Sequence, residues 1–79
     1  MNRESLFNLT EVPIGRRVRV RHLSIQPEIG FRLRELGFRE NAVIQCINKG
    51  DGTIICDVCN ARIGLNGYIA AKIVVSAFE

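Results

Sequence analysis

One stretch, Pro27-Glu28-Ile29-Gly30-Phe31-Arg32-Leu33-Arg34-Glu35-Leu36-Gly37-Phe38, carries both a helix start and a helix stop, and in a chain of 79 residues that leaves few folds open. Proline suits the first helical position, where its missing N–H would find no intrahelical partner anyway, and Glu28 faces the positive end of the helix dipole. Gly37 can take the left-handed conformation that ends a helix. Ile29, Leu33 and Leu36 recur at i, i+4, i+7 as one apolar stripe, so the spacing predicts a helix over 27–36. At ~1.5 Å per residue it is about 15 Å long, too short to be stable by itself, and it needs a sheet to lie on. Outward it presents Arg32, Arg34 and Glu35, with Phe38 and Arg39 just past the stop.

The rest of the chain reads as β. Residues 1–8 show no period and are expected to form a flexible arm, with Leu6 or Phe7 tucked against the body. Leu9, Val12 and Ile14, ending at Gly15, make a lead-in turn. Residues 16–23 alternate, with Val18 and Val20 on one face and Arg17, Arg19 and Arg21 on the other, the period of a half-buried strand. Runs at 42–48 and 54–58 are strand-like and joined by the turn Lys49-Gly50-Asp51-Gly52. A second reversal falls at Cys59-Asn60, after which 61–65 runs back. Asn66-Gly67 breaks that strand, a short helical turn follows near 66–71, and 72–76 is the last strand.

Parity checks the register. With Cys59-Asn60 as a two-residue loop, Val58 faces Ala61, Cys56 faces Ile63 and Ile54 faces Leu65, which gives one apolar face. The other face pairs Asp57 with Arg62, an opposite-charge contact contributing roughly 0.2–1 kcal/mol. The same face carried back places Ile44 and Cys46 inside. About five short strands and one helix in a chain this size predict a mainly β, strongly bent small barrel.

At 47% hydrophobic and 24% charged residues the chain is globular, and no run of ~18 apolar residues offers a membrane span. The start Met-Asn-Arg-Glu lacks the apolar stretch of a signal peptide. Three cysteines, an odd number, fit a reducing compartment better than a disulfide framework, so the expected location is cytoplasmic. A net charge of +3 does not choose among nucleic acid, anionic surfaces and acidic proteins as partners.

Cys56-Asp57-Val58-Cys59 is a C-x-x-C at a hairpin tip, where zinc knuckles place two thiolates. Structural zinc needs four ligands, and only Cys46 and His22 remain, without motif spacing. Either Cys46 and Cys56 are core thiols with Cys59 exposed, or Cys56 and Cys59 form a thiolate site that would take Fe2+ or Zn2+. The Arg17, Arg19 and Arg21 row is either a solvated strand face or a docking stripe for phosphates; it lacks the interleaved aromatics that stack on bases, so no nucleic acid is expected. No nucleotide-binding, zinc-protease or hydrolase motif is present, and the chain reads as a binding module with no catalytic residues.

The order of these features, Leu9, Val12 and Gly15 before an alternating strand, then Arg32-Leu33-x-x-Leu36-Gly37-Phe38, then hairpins, then Arg62-Ile63-Gly64-Leu65 and Ala70-x-Lys72-Ile73-x-Val75, resembles the FeoA family over residues 9–76. The chain departs from that pattern at Glu40-Asn41, where the family commonly has Pro-Gly, and at Gly64-Leu65-Asn66-Gly67, where it usually has Ala-Leu before a basic turn. The resemblance implies one SH3-like barrel over 9–79 with an inserted helix. It further implies a cytosolic accessory protein of ferrous iron uptake, working with the FeoB permease and its GTP-binding domain and reaching the membrane only through that partner. The same domain type closes iron- and manganese-dependent repressors of the DtxR type, but no DNA-binding domain is attached here. Arg32, Arg34, Phe38 and Arg39 are the expected partner contacts, with Phe38 either an aromatic anchor or the plug of the barrel end. An exposed cysteine leaves homo-oligomers open.

Overall fold

A computed structural model describes residues 5–78. Its first helix, α1 (Pro27–Leu36), begins and ends where the proline and glycine place it. Gln26 offers no side-chain cap, and Pro27 opens the helix without needing one. At the other end Gly37 sits at φ 109°, its N–H donating to Arg34 O at 3.0 Å, while Phe38 N–H donates to Leu33 O at 2.9 Å. This closure turns the chain inward, and Phe38 joins Leu33 in the core. The expected stripe needs one correction: Leu36 is 46% exposed. The helix rests on a narrow edge of Gly30 and Leu33, with Ile29 half-buried beside them, and Phe38 makes the apolar contact beyond Leu33 that Leu36 does not.

Among the described residues six strands, β1 (Phe7–Asn8), β2 (Arg17–Leu23), β3 (Val43–Gly50), β4 (Thr53–Val58), β5 (Ala61–Asn66) and β6 (Ile73–Ala77), form one antiparallel sheet in the order β1-β6-β2-β3-β4-β5. The fold is mainly β, with one strand beyond the expected five. Most of the arm expected over 1–8 is either outside the described residues or outside regular structure, but Phe7 and Asn8 pair with Val75 and Val74, and Phe7 packs on the core. Asn8 also caps a 3-10 turn (Leu9–Glu11): its side chain accepts from Thr10 N at 2.9 Å and its N–H donates to Glu11 Oε1 at 3.0 Å.

Side-chain parity produces the core. Val18 and Val20 of β2, Ile44 and Cys46 of β3, Ile54, Cys56 and Val58 of β4, and Ile73 and Val75 of β6 all point inward. Two bulges interrupt this alternation. In β2 the step from Val20 to His22 matches a single step in β6, so Arg21 is the extra residue; His22 turns outward and Leu23 inward. In β3 Ile47 is extra, which brings Lys49 opposite Ile54. The Lys49 ammonium then reaches Thr10 O at 2.9 Å, tying the end of β3 to the 3-10 turn across the barrel mouth. A short helix, α2 (Gly67–Ala70), is capped by Asn66, whose side chain accepts from Ile69 N at 2.8 Å, and leads into β6.

Candidate functional site

The helix α1 carries the most distinctive surface. Pro27, Glu28, Phe31, Arg32 and Glu35 line a shallow, open groove on its outer side. Pro27, Phe31 and Glu35 are spaced four apart, as are Glu28 and Arg32, so all five share one face. Phe31 is 63% exposed. An aromatic ring held in water on a rigid helix and flanked by both signs of charge is the composition of an interface anchor. Arg32 is exposed and makes no hydrogen bond or ion pair among the described residues.

The other expected contacts are placed differently. Phe38 is 0% exposed and is corrected from anchor to plug, because the chain turn after Gly37 drives its ring into the core. Arg34 grips Glu40 with two hydrogen bonds, Nε to Oε1 at 3.3 Å and Nη2 to Oε2 at 2.8 Å. That hydrogen bonding and the opposite charge hold the Glu40 carboxyl below its ordinary value and the Arg34 guanidinium above its own. Arg39 Nε donates to Arg34 O at 3.1 Å, satisfying a carbonyl at the helix C-terminus. Arg34 and Arg39 thus brace the end of α1, whereas Arg32 lies in the groove. Phe31 was missed in the sequence although its signal was there: it stands two residues, about 200° of helix, from Ile29, opposite the apolar stripe.

The hairpin cysteines separate. Cys56 is buried opposite Cys46 in the β3–β4 ladder, and burial, followed by the neighbouring Cys46 and Asp57, pushes its thiol up to about 12. Cys46 is raised as well, first by burial. Cys59 sits exposed at the tip, at φ 51°. A thiol that keeps its proton to that pH is a poor ligand, since metals bind the thiolate. Among the described residues no group of three or more His, Cys, Asp or Glu gathers as a metal site, and His22 stands exposed at the β2 bulge. Asp57 and Arg62 pair as the register required, Nε to Oδ1 at 3.1 Å.

The arginine row of β2 is engaged within the chain. The Arg17 and Arg19 guanidinium carbons each lie 5.2 Å from the centre of the Phe78 ring. Arg19 Nη1 donates to Asn41 O at 2.8 Å and Arg21 Nη1 to Asn41 Oδ1 at 3.2 Å. Asn41, at φ 75°, is thereby the hub holding the row to the β3 lead-in.

The FeoA domain model matches residues 7–77, from the first residue of β1 to the last of β6. The FeoA protein from Chlorobium tepidum superposes with a TM-score of 0.85 at 22% identity, over 92% of this chain and 71% of that one. An iron uptake regulatory protein (FeoA) matches with a TM-score of 0.83 at 21% identity, over 94% and 99%. A manganese-dependent transcriptional repressor matches with a TM-score of 0.87 at 16% identity, over 99% of this chain but 45% of its own. At these identities the likeness shows the fold, an SH3-like one. No curated relative matches the chain.

Proposed function

The chain belongs to the FeoA domain family, associated with ferrous iron transport, and on that premise we propose that it is an accessory protein that regulates a FeoB-type ferrous iron permease by direct contact. The contact is made with the permease's cytosolic GTP-binding domain, which puts the chain in the cytoplasm. No helix among the described residues is long and apolar enough to cross a membrane. It acts by binding and carries no chemistry of its own.

The observation that supports this reading is the outer face of α1. Phe31 is exposed on an element braced at its C-terminal end by the Gly37 closure and the Arg34–Glu40 pair. A braced helix loses little freedom on docking, so the ring's contact area is not offset by ordering cost. Arg32 beside it supplies a charge that selects an acidic partner surface.

Calorimetric titration of the chain with the permease's cytosolic domain, with and without a GTP analogue, tests this. Phe31→Ala and Arg32→Glu are each expected to weaken binding at least ~10-fold, the effect of losing an interface anchor. Unchanged affinity in both variants, or no binding in any nucleotide state, overturns the assignment.

A further inference from the structure

β5 is the last strand of the sheet, and among the described residues no strand pairs with its outer side. Exposed edges are usually guarded by bulges, prolines, lysines or shortness. The opposite edge, β1, is two residues long. β5 is weakly guarded: its six residues, paired with β4 without a register shift, contain no proline or lysine, one charge, Arg62, already paired with Asp57, and a glycine near the middle.

The hairpin sets which backbone groups face out. Cys59 and Asn60 have φ of 51° and 69°, the pattern of a two-residue type I′ turn, whose flanking residues Val58 and Ala61 exchange both hydrogen bonds. Alternation then makes Cys56–Ile63 and Ile54–Leu65 the next bonded pairs, leaving the amide groups of Arg62, Gly64 and Asn66 directed away from β4. The Asn66 carbonyl serves the first turn of α2, as an N-cap carbonyl does, and its N–H remains. All three residues are exposed.

We propose that this edge pairs, antiparallel, with the same edge of a second copy of the chain, about a two-fold axis at Gly64. That register sets Gly64 against Gly64 and Arg62 against Asn66 of the second copy, forming about four ladder hydrogen bonds with no like charges opposed. An axis at Arg62 would set arginine against arginine. An axis at Asn66 would set Gly64 against Tyr68, which lies in α2. Of the axes that pass through an outward-facing residue, only the one at Gly64 sets every outward residue against another within β5, and Gly64 has no side chain to obstruct the approach. With the other edge so short, the contact closes as a dimer and does not propagate. The interface is small, so the dimer is weak and reversible.

Sedimentation velocity of the chain alone in reductant, from low micromolar to near-millimolar concentration, tests this independently of the permease reading. The parent chain should show a reversible monomer–dimer equilibrium. Gly64→Pro should abolish it, because the proline removes an outward donor and leaves the β4–β5 ladder intact. Gly64→Lys and Gly64→Glu supply a test that does not depend on proline: a Cβ at this position meets only Thr53 Cγ2, at 3.6 Å, an ordinary contact. Each alone opposes like charges across the axis, and an equimolar mixture should dimerise at least ~5-fold more tightly than either alone. A chain monomeric throughout, a dimer indifferent to Gly64→Pro, or a mixture no tighter than its components overturns the proposal.

Discussion

At Gly37 a side chain would have no room. A Cβ there would lie 2.7 Å from Val58 Cγ1 and 3.3 Å from Cys59 Sγ, on a backbone at φ 109°. Gly37→Ala therefore combines left-handed strain of about 1–2 kcal/mol with overpacking of about 1–3 kcal/mol, and urea unfolding should show a loss of roughly 2–5 kcal/mol. A change under ~1 kcal/mol would mean that the helix stop and the hairpin tip are not in contact. The thiols give a pH-dependent prediction. Cys56 binds its proton more tightly folded than unfolded, at about 12 against an ordinary 9.0. Its contribution to stability is complete below pH 9 and is lost as pH rises toward 12. Stability should therefore fall along an alkaline limb, and Cys56→Ala should flatten the limb even while lowering stability overall. In the native chain near pH 8, iodoacetamide should label Cys59 and leave Cys46 and Cys56 until unfolding.

The elements were legible where a residue type forces the backbone and obscure where it does not. Pro27 and Gly37 each have a conformational reason to sit at a helix end, and α1 spans the expected 27–36. The β4–β5 register followed from parity because a two-residue loop admits one alignment. The bulges at Arg21 and Ile47 carry no such mark, since arginine and isoleucine suit regular strands equally well. The trace of the first is arithmetic: Val20 and Leu23 both face inward although they stand three positions apart, an odd step. The brace at the end of α1 is also an element-scale matter. Glu40 contributes above its unfolded pKa, ordinarily 4.5, and that contribution fades as pH falls through its lowered folded value. Because Arg34 and Glu40 are exposed, Glu40→Gln should lower thermal stability slightly at low salt and not at high salt. An equal loss at both salts would contradict a screened surface pair.

For the molecule as a whole, the β3–β4–β5 part of the sheet could be assembled from the sequence, while the pairing of β2 with β3 and β6, and of β1 with β6, could not. Phe7–Asn8 is too short to show a period, and it becomes a strand because β6 supplies a partner and the 3-10 turn fixes its exit. The face proposed for partner contact lies on the helix that the sequence singled out, but with Phe31 exposed there and Phe38 buried. Phe31 lies mid-helix opposite the apolar stripe, whereas Phe38 follows the stop, and the turn at Gly37 puts that second ring inside. That division of labour, a plugged barrel presenting one aromatic on a braced helix, is the core of the functional account. Chemical-shift mapping of the labelled chain on addition of the FeoB-type permease's cytosolic domain, with and without a GTP analogue, tests it most directly. Shifts centred on Pro27, Glu28, Phe31, Arg32 and Glu35 are expected; shifts centred instead on Arg17, Arg19 and Arg21, or on the Cys59 turn, or none in any nucleotide state, would contradict docking through this face.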